Sequence, residues 1–259
     1  VLQKNRFAAL SRQIEGFEQL EPEFREDVTV SASNLDRVTG DIQVAVMRTR
    51  MQPLDKLYGK YPRLIRDLAK KTGKNINLVI EGGDTEVDKS VLEERGDPMV
   101  HLLRNSADHG LEMPEDRVAA GKDEVGTIRI VAAHEGSHVS VRIIDDGKGM
   151  TREKIGSLAI EKGIATEQEV AQLSDIEVYR FILAAGFSTA AEVTDLSGRG
   201  VGMDVVRTNI EALKGTIDVD STPGQGTEII IKIPLTIAIM PAMMVRVDNE
   251  IYAIPLSNL

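Results

Sequence analysis

The hydrophobic period changes once along the chain, and that change constrains the fold more than any other feature. Within residues 1–20, Phe7, Leu10, Ile14 and Phe17 recur at spacings of three, four and three, lining one helical face in a heptad-like seam. A second seam, Leu35, Val38, Ile42 and Ala45, follows a polar stretch containing Pro22, and Ser33 can cap its helix. Two seamed helices predict a hairpin, whose seams either pack only on each other or, since one hairpin alone buries little, pair with a second hairpin into a four-helix bundle. Pro53 and Pro62 interrupt the next helical stretch, Met51 to Lys71, which puts a boundary near residue 55. From Asn75 onward, strands alternate with helices.

The strand Ile76–Glu81 runs into the turn Gly82-Gly83-Asp84. A helix opens at Asp97-Pro98, with Asp as cap and Pro at the first position, and closes at Gly110. Thr127–Ala133 and Val139–Ile144 alternate cleanly and form a hairpin around Glu135-Gly136-Ser137, with His134 and His138 solvated beside the turn. Residues 151–185 are predicted helical, 188–199 a polar loop, and Val201–Lys214 an amphipathic helix ended by Gly215. A last strand pair, Thr216–Asp220 and Thr227–Ile233, flanks Pro223-Gly224-Gln225-Gly226. Helices mixed with antiparallel strands predict an α+β fold. Two further strands around Asp248-Asn249 are too few to bury a core and read as the beginning of another domain.

Composition limits what such a chain can bind. In 259 residues, 41 acidic side chains oppose 31 basic ones, giving a formal charge of −10. There is no basic excess to displace counterions, so nucleic acid is not the expected partner and any anionic ligand must be gripped locally. The absence of cysteine excludes a disulfide scaffold, a thiolate metal site and a cysteine nucleophile, and fits a reducing, cytoplasmic setting. The most apolar run, Ile229–Met244, is broken by Lys232, Pro234, Thr236 and Pro241, so no membrane insertion is expected. A start at Val1-Leu2-Gln3, without an initiator Met, suggests a piece of a longer chain.

Three segments carry candidate chemistry. On the Pro98–His109 helix, His101, Asn105, Asp108 and His109 stand at i, i+4, i+7 and i+8 beside an apolar stripe of Val100, Leu103 and Ala107. A solvated face would serve equally, but such faces are usually filled by Lys and Glu, which favour helix more than His, Asn or Asp. The Asn105 side-chain oxygen suits Mg²⁺, whose other ligands are usually waters and substrate phosphates. Zinc is disfavoured because His101 and His109 lack a third soft ligand nearby. Second, a strand delivers Asp145-Asp146 into Gly147-Lys148-Gly149; a strand-end carboxylate can accept a purine amino group, although an ordinary turn has the same sequence. Third, Gly198-Arg199-Gly200-Val201-Gly202-Met203-Asp204 opens a helix, where converging backbone N–H groups make an anion site without net positive charge. It is neither a dinucleotide fingerprint nor a Walker loop.

In this order the segments resemble the Bergerat-fold ATPases, the gyrase, Hsp90, MutL and histidine kinase group, over about residues 75–234. The runs Arg63-Leu64-Ile65-Arg66-Asp67-Leu68-Ala69, His101-Leu102-Leu103-Arg104-Asn105-Ser106-Ala107-Asp108-His109-Gly110, Gly186-Phe187-Ser188-Thr189 and Ser197 through Val206 are similar to chemotaxis histidine kinases of the CheA family. The resemblance implies a helical-hairpin dimerisation domain at 1–55, an ATP-binding kinase domain at 56–234 and the first strands of a CheW-like regulatory domain at 235–259. It implies that Asn105 ligates Mg²⁺ and Asp146 binds the adenine amino group. His109, Ser188, Thr189, Gly200 and Gly202 would line the phosphates, with residues 187–199 as a lid and with Lys154 and Arg104 as further phosphate contacts. Asp108, Gly147, Gly149, Gly198, Val201 and Met203 complete the expected nucleotide site. The family usually has Phe and Pro where Leu183 and Ala185 stand.

Four residues before Asn105, the hydrolytic relatives carry a Glu that deprotonates water, whereas this chain has His101. Water, with a pKa of about 15.7, needs such activation, but a neutral imidazole acceptor needs mostly positioning and charge stabilisation. The substitution therefore favours transfer to histidine. None of the four histidines suits the acceptor role, which the resemblance assigns to a separate histidine-phosphotransfer domain that hands phosphate to response regulators. A homodimer, a CheW-like coupling protein and chemoreceptors are the other implied partners. The alternatives are a nucleotide-binding scaffold with weak catalysis and a gyrase-like or Hsp90-like ATPase.

Overall fold

The computed structural model describes residues 22–92, 98–187, 202–235, 242–247 and 250–255. They divide between two compact units, Gln52–Leu235 and the combination of Val1–Met51 with Thr236–Leu259. In the larger unit, strands β2 (Ile76–Glu81), β4 (Gly126–Glu135), β5 (His138–Asp145), β6 (Thr216–Thr222) and β7 (Gly226–Pro234) form one sheet in the order β2-β4-β5-β7-β6. The β4–β5 and β6–β7 neighbours are antiparallel hairpins, and β5 pairs antiparallel with β7 from Asp145↔Thr227 to His138↔Pro234. β2 runs parallel to β4, which the hairpin pattern did not predict. A parallel pair requires a crossover, and residues 82–125, which carry the Pro98–Asn105 helix, supply it.

One face of the sheet is dry and the other wet, as strand alternation requires. Ile128, Ile130, Val139, Val141, Ile143, Val219, Ile229 and Ile231 are buried on one side. Against them pack Ile65 and Leu68 of the Tyr61–Thr72 helix, Leu102 and Leu103 of the Pro98–Asn105 helix, and Val206 and Ile210 of the Met203–Ala212 helix. Each such aliphatic side chain removed from water contributes about 2 kcal/mol. The opposite face carries charge pairs such as Arg142 with Glu228 and Lys232 with Glu135. The result is a two-layer α+β sandwich with the predicted fold class.

Several local expectations need correction. The Pro22–Arg50 helix is continuous for 29 residues, so Ser33 lies inside it and caps nothing. Pro22 already occupies the first position, where its fixed φ favours helix. Residues 1–21, with the first seam, lie outside the described residues. Met51–Pro53 is not helical but a short strand, β1, paired with β3 (Glu86–Asp88), because Pro53 stops the helix and β3 offers a ladder partner. Residues 151–185 form separate pieces, Arg152–Glu161, Glu167–Gln172, Asp175–Tyr179 and the 3₁₀ turn Arg180–Leu183, since capping boxes at Thr166 and Ser174 restart the helix twice. In the smaller unit, β8 (Ala242–Val247) and β9 (Glu250–Pro255) pair antiparallel.

Candidate functional site

The Pro98–Asn105 helix buries Leu102, Leu103 and, just beyond it, Ala107, leaving His101 and Asn105 one turn apart and partly open. Asn105 Nδ2 donates to the Met203 sulfur at 3.0 Å, bringing the start of the Met203–Ala212 helix against the site helix. Gly202 caps that second helix and is buried. The bond uses the amide nitrogen and leaves the Asn105 carbonyl oxygen available as an acceptor or ligand. Asp204, the next residue, lies in the electrostatic neighbourhood of His101, as do Arg104 and His109. Burial, reinforced by Arg104, holds the His101 imidazole below the ordinary histidine range, so the ring is neutral at physiological pH and can take a proton.

After Asn105 the helix does not stay α. Ser106–Gly110 is a π-helical turn in which Leu111 N–H donates to Ser106 carbonyl at 2.9 Å, so Asp108 and His109 leave the regular stripe expected of them. His109 is exposed and Asp108 half-buried. The Lys74 ammonium closes this widened end by donating to the carbonyls of Ala107, Asp108 and Leu111 at 2.7, 2.7 and 2.8 Å. Lys74 was not recognisable in the sequence: its partners are more than thirty residues away.

The strand β5 delivers its two carboxylates to opposite sides. Asp145 continues the buried face of Val141 and Ile143 and is 4% exposed. Its Oδ1 accepts the Gly147 N–H at 3.1 Å, and Ser106 and Thr227 also bond to it. Burial raises its pKa above the usual carboxylate range, against the pull of those donors. Asp146, by contrast, turns outward: Arg117 Nη2 donates to its Oδ2 at 3.1 Å and the Thr127 N–H to its Oδ1 at 2.9 Å. With both oxygens already engaged by Arg117 and Thr127, Asp146 does not fit the adenine role expected of it, and Asp145 is the buried carboxylate. The signal was in the sequence, since period two places Asp145 with Ile143.

The glycines around Asp145 are required by close packing. A Cβ on Gly147 would lie 2.1 Å from the Gly110 carbonyl oxygen, and one on Gly149, at φ +65°, 2.3 Å from that of Thr222. The turn is further tied by Met150 N–H donating to the Ser221 hydroxyl at 2.9 Å. Lys154 is exposed on the Arg152–Glu161 helix, and nothing in its contacts joins it to Asn105. Ser188, Thr189, Gly198, Gly200 and Val201 lie outside the described residues, as do residues 188–199 of the expected lid. Just before residue 188, Leu183 and Phe187 are buried, and Lys162 donates to the Gly186 carbonyl at 3.3 Å. Among the described residues, no group of three or more His, Asp or Glu side chains could hold a metal ion by itself.

Residues 95–237 match the family model of the histidine kinase-, DNA gyrase B-, and HSP90-like ATPases. The chain belongs to this ATPase family. Within it, the chain is similar to "Sensor histidine kinase CheAY" of Helicobacter pylori, 48% identical over 259 residues, all of this chain and 32% of that protein. It is 43% identical to "Chemotaxis protein CheA" of Bacillus subtilis over 90% of this chain and 35% of that protein. It is 45% identical to "Chemotaxis protein CheA" of Salmonella typhimurium over 92% of this chain and 35% of that protein. The chain thus spans about a third of the length of these curated relatives. No helix among the described residues is long and apolar enough to cross a membrane.

Proposed function

We propose that this chain is the ATP-dependent protein-histidine kinase core of a chemotaxis two-component system, passing the γ-phosphate in trans to a histidine on a separate phosphotransfer domain. The observation that carries the reading is the pairing of a neutral His101 with Asn105 one turn later, against the Gly202-capped helix start. A Glu in place of His101 would serve water activation; a neutral imidazole serves proton transfer to or from an acceptor imidazole. The similarity to named CheA proteins over nine-tenths or more of the chain supports the same reading.

Asp145 then accepts the adenine amino group, with its bonds to Ser106, Gly147 and Thr227 fixing its orientation. Asn105 offers one hard oxygen, and among the described residues no group of three or more His, Asp or Glu side chains could hold a metal, a donor set that fits Mg²⁺ completed by waters and phosphates and not a dedicated protein cage. When bound, the ion neutralises charge on the phosphates during transfer. The Met203–Ala212 helix start adds backbone N–H groups on the phosphate side. Arg104 and His109, electrostatic neighbours of His101, would supply supplementary phosphate contacts.

The Pro22–Arg50 helix exposes Val30, Leu35, Val38, Ile42 and Val46, between 44% and 59% accessible, a row that a second copy would cover. The domain assignment at 1–55, 56–234 and 235–259, docking of a CheW-like protein and receptors through the last segment, phosphate transfer to response regulators and a cytoplasmic site of action belong to the same proposal. The test mixes the chain with γ-labelled ATP, Mg²⁺ and a cognate phosphotransfer domain. Acid-labile label on that domain, lost with Asn105→Ala, is the expected result. Tight ATP binding without transfer would instead favour a nucleotide-binding scaffold.

A further inference from the structure

Behind the Asp145 turn lies an ionic cluster that the nucleotide site, as described so far, does not use. Arg117, on the short Pro114–Ala119 helix, is 2% exposed, unusual for an arginine and tolerable only with full pairing. Its Nη1 donates to Glu112 Oε2 at 3.1 Å and to the Asp146 carbonyl at 3.2 Å, its Nη2 to Asp146 Oδ2 at 3.1 Å, and its Nε to the Asp123 carbonyl at 2.8 Å. Lys122 donates to Glu112 Oε1 at 2.9 Å, to the same Asp146 carbonyl at 2.9 Å and to the Gly147 carbonyl at 2.6 Å. Two cations therefore converge on one peptide oxygen.

That oxygen belongs to the peptide unit whose N–H, on Gly147, donates to Asp145 Oδ1 at 3.1 Å. Positive charge on a carbonyl polarises its peptide and strengthens the donor at the other end, because hydrogen bonds in series reinforce one another where the dielectric is low. A buried carboxylate has little water to hold it in one orientation, so the strength and direction of this donor matter. We propose that Arg117 and Lys122 are positioning residues that act through the Asp146–Gly147 peptide to hold Asp145 as a fixed acceptor, and that they thereby set the preference for a purine bearing an exocyclic amino group. The proposal rests on the nucleotide reading of Asp145. A cluster with a merely structural role would stabilise the turn without influencing which base binds.

Calorimetric titration of the 259-residue chain with Mg·ADP and, in competition, Mg·IDP separates the two roles, since hypoxanthine carries a carbonyl where adenine carries the amino group. Lys122→Met is expected to weaken ADP by about tenfold and leave IDP nearly unchanged, so that their affinity ratio collapses. Lys122→Arg, which restores the cation, is expected to recover most of it. A folded Lys122→Met protein with a lower melting temperature and an unaltered ADP-to-IDP ratio overturns the proposal. Should that variant not fold, Arg117→Lys, which keeps the charge and loses the fork, reads the same ratio with the same consequences. Equal binding of ADP and IDP by the unaltered chain would defeat the nucleotide reading itself, and this inference with it.

Discussion

The amide of Asn105 and the thioether of Met203 meet at 3.0 Å although 98 residues separate them in the chain. The contact leaves the carbonyl oxygen of the Asn105 amide free, because the sulfur accepts only from the nitrogen. Asn105→Asp places a carboxylate oxygen against the sulfur, and Asn105→Ala removes the ligand altogether. Both are expected to lower phosphotransfer by at least about a hundredfold, the scale on which loss of one charge-stabilising group acts. Thermal melting of the two variants should stay within a few degrees of the parent chain, and single-turnover transfer from labelled ATP measures the loss.

His101 gives a separable effect. The proposed proton transfer uses its neutral form, and burial lowers its pKa, so the acid limb of the pH–rate profile should fall below the ordinary histidine value of about 6.5. His101→Ala should abolish that limb and slow transfer by about 10²–10⁴-fold, the usual contribution of a general base. Affinity for ATP should change less than twofold, about the effect expected when no ground-state contact is lost. An equally large drop in affinity would assign His101 to nucleotide binding.

Asp145 and Asp146 should behave as opposites. Asp145→Asn replaces an acceptor with a group that also donates toward the adenine amine, and about a tenfold or greater rise in Kd for Mg·ADP is expected. Because its folded pKa is raised, nucleotide binding should weaken on acidification before an ordinary carboxylate would titrate, and Asp145→Asn should erase that dependence. Asp146→Asn loses its ion pair with buried Arg117, so its main cost should appear in denaturant unfolding, at about 1–3 kcal/mol. Fluorescence titration of the two variants side by side separates the roles.

Lys74 and Gly147 test the frame around the site. Lys74→Met leaves three carbonyls of the π-helical turn without their cation, at a cost of about 2–3 kcal/mol. Gly147→Ala drives a methyl to 2.1 Å from the Gly110 carbonyl oxygen, a backbone clash that cannot relax by a rotamer change. It should destabilise the larger unit by about 2–4 kcal/mol, as overpacking against fixed backbone does. Chemical denaturation of each protein measures both.

The exposed row on the Pro22–Arg50 helix gives a final test. Leu35→Glu combined with Ile42→Glu is expected to convert a dimer to monomer in light scattering after size exclusion. Nucleotide binding should persist, because these positions lie outside the Gln52–Leu235 unit. A monomer in the unaltered chain would remove the dimer from the proposal.

Local chemistry was enough to locate most elements. Period two marked β4, β5, β6 and β7, and the His101–Asn105 spacing marked the site helix, because each pattern reports burial along one element. The sequence also limited the partners, since a charge of −10 leaves any anion to local backbone and side-chain donors. What it left undecided required neighbours distant in the chain. Ser33 looked like a cap until the continuous helix enclosed it, and Met51–Pro53 became a strand only because β3 lay alongside. The opposite environments of Asp145 and Asp146 followed from where Arg117 and Thr127 stand, and the burial of Arg117 from the carbonyls that surround it. Periodicity tells a side chain which face it occupies, whereas its partners, its charge state and therefore its chemistry are set by what the fold carries to that face.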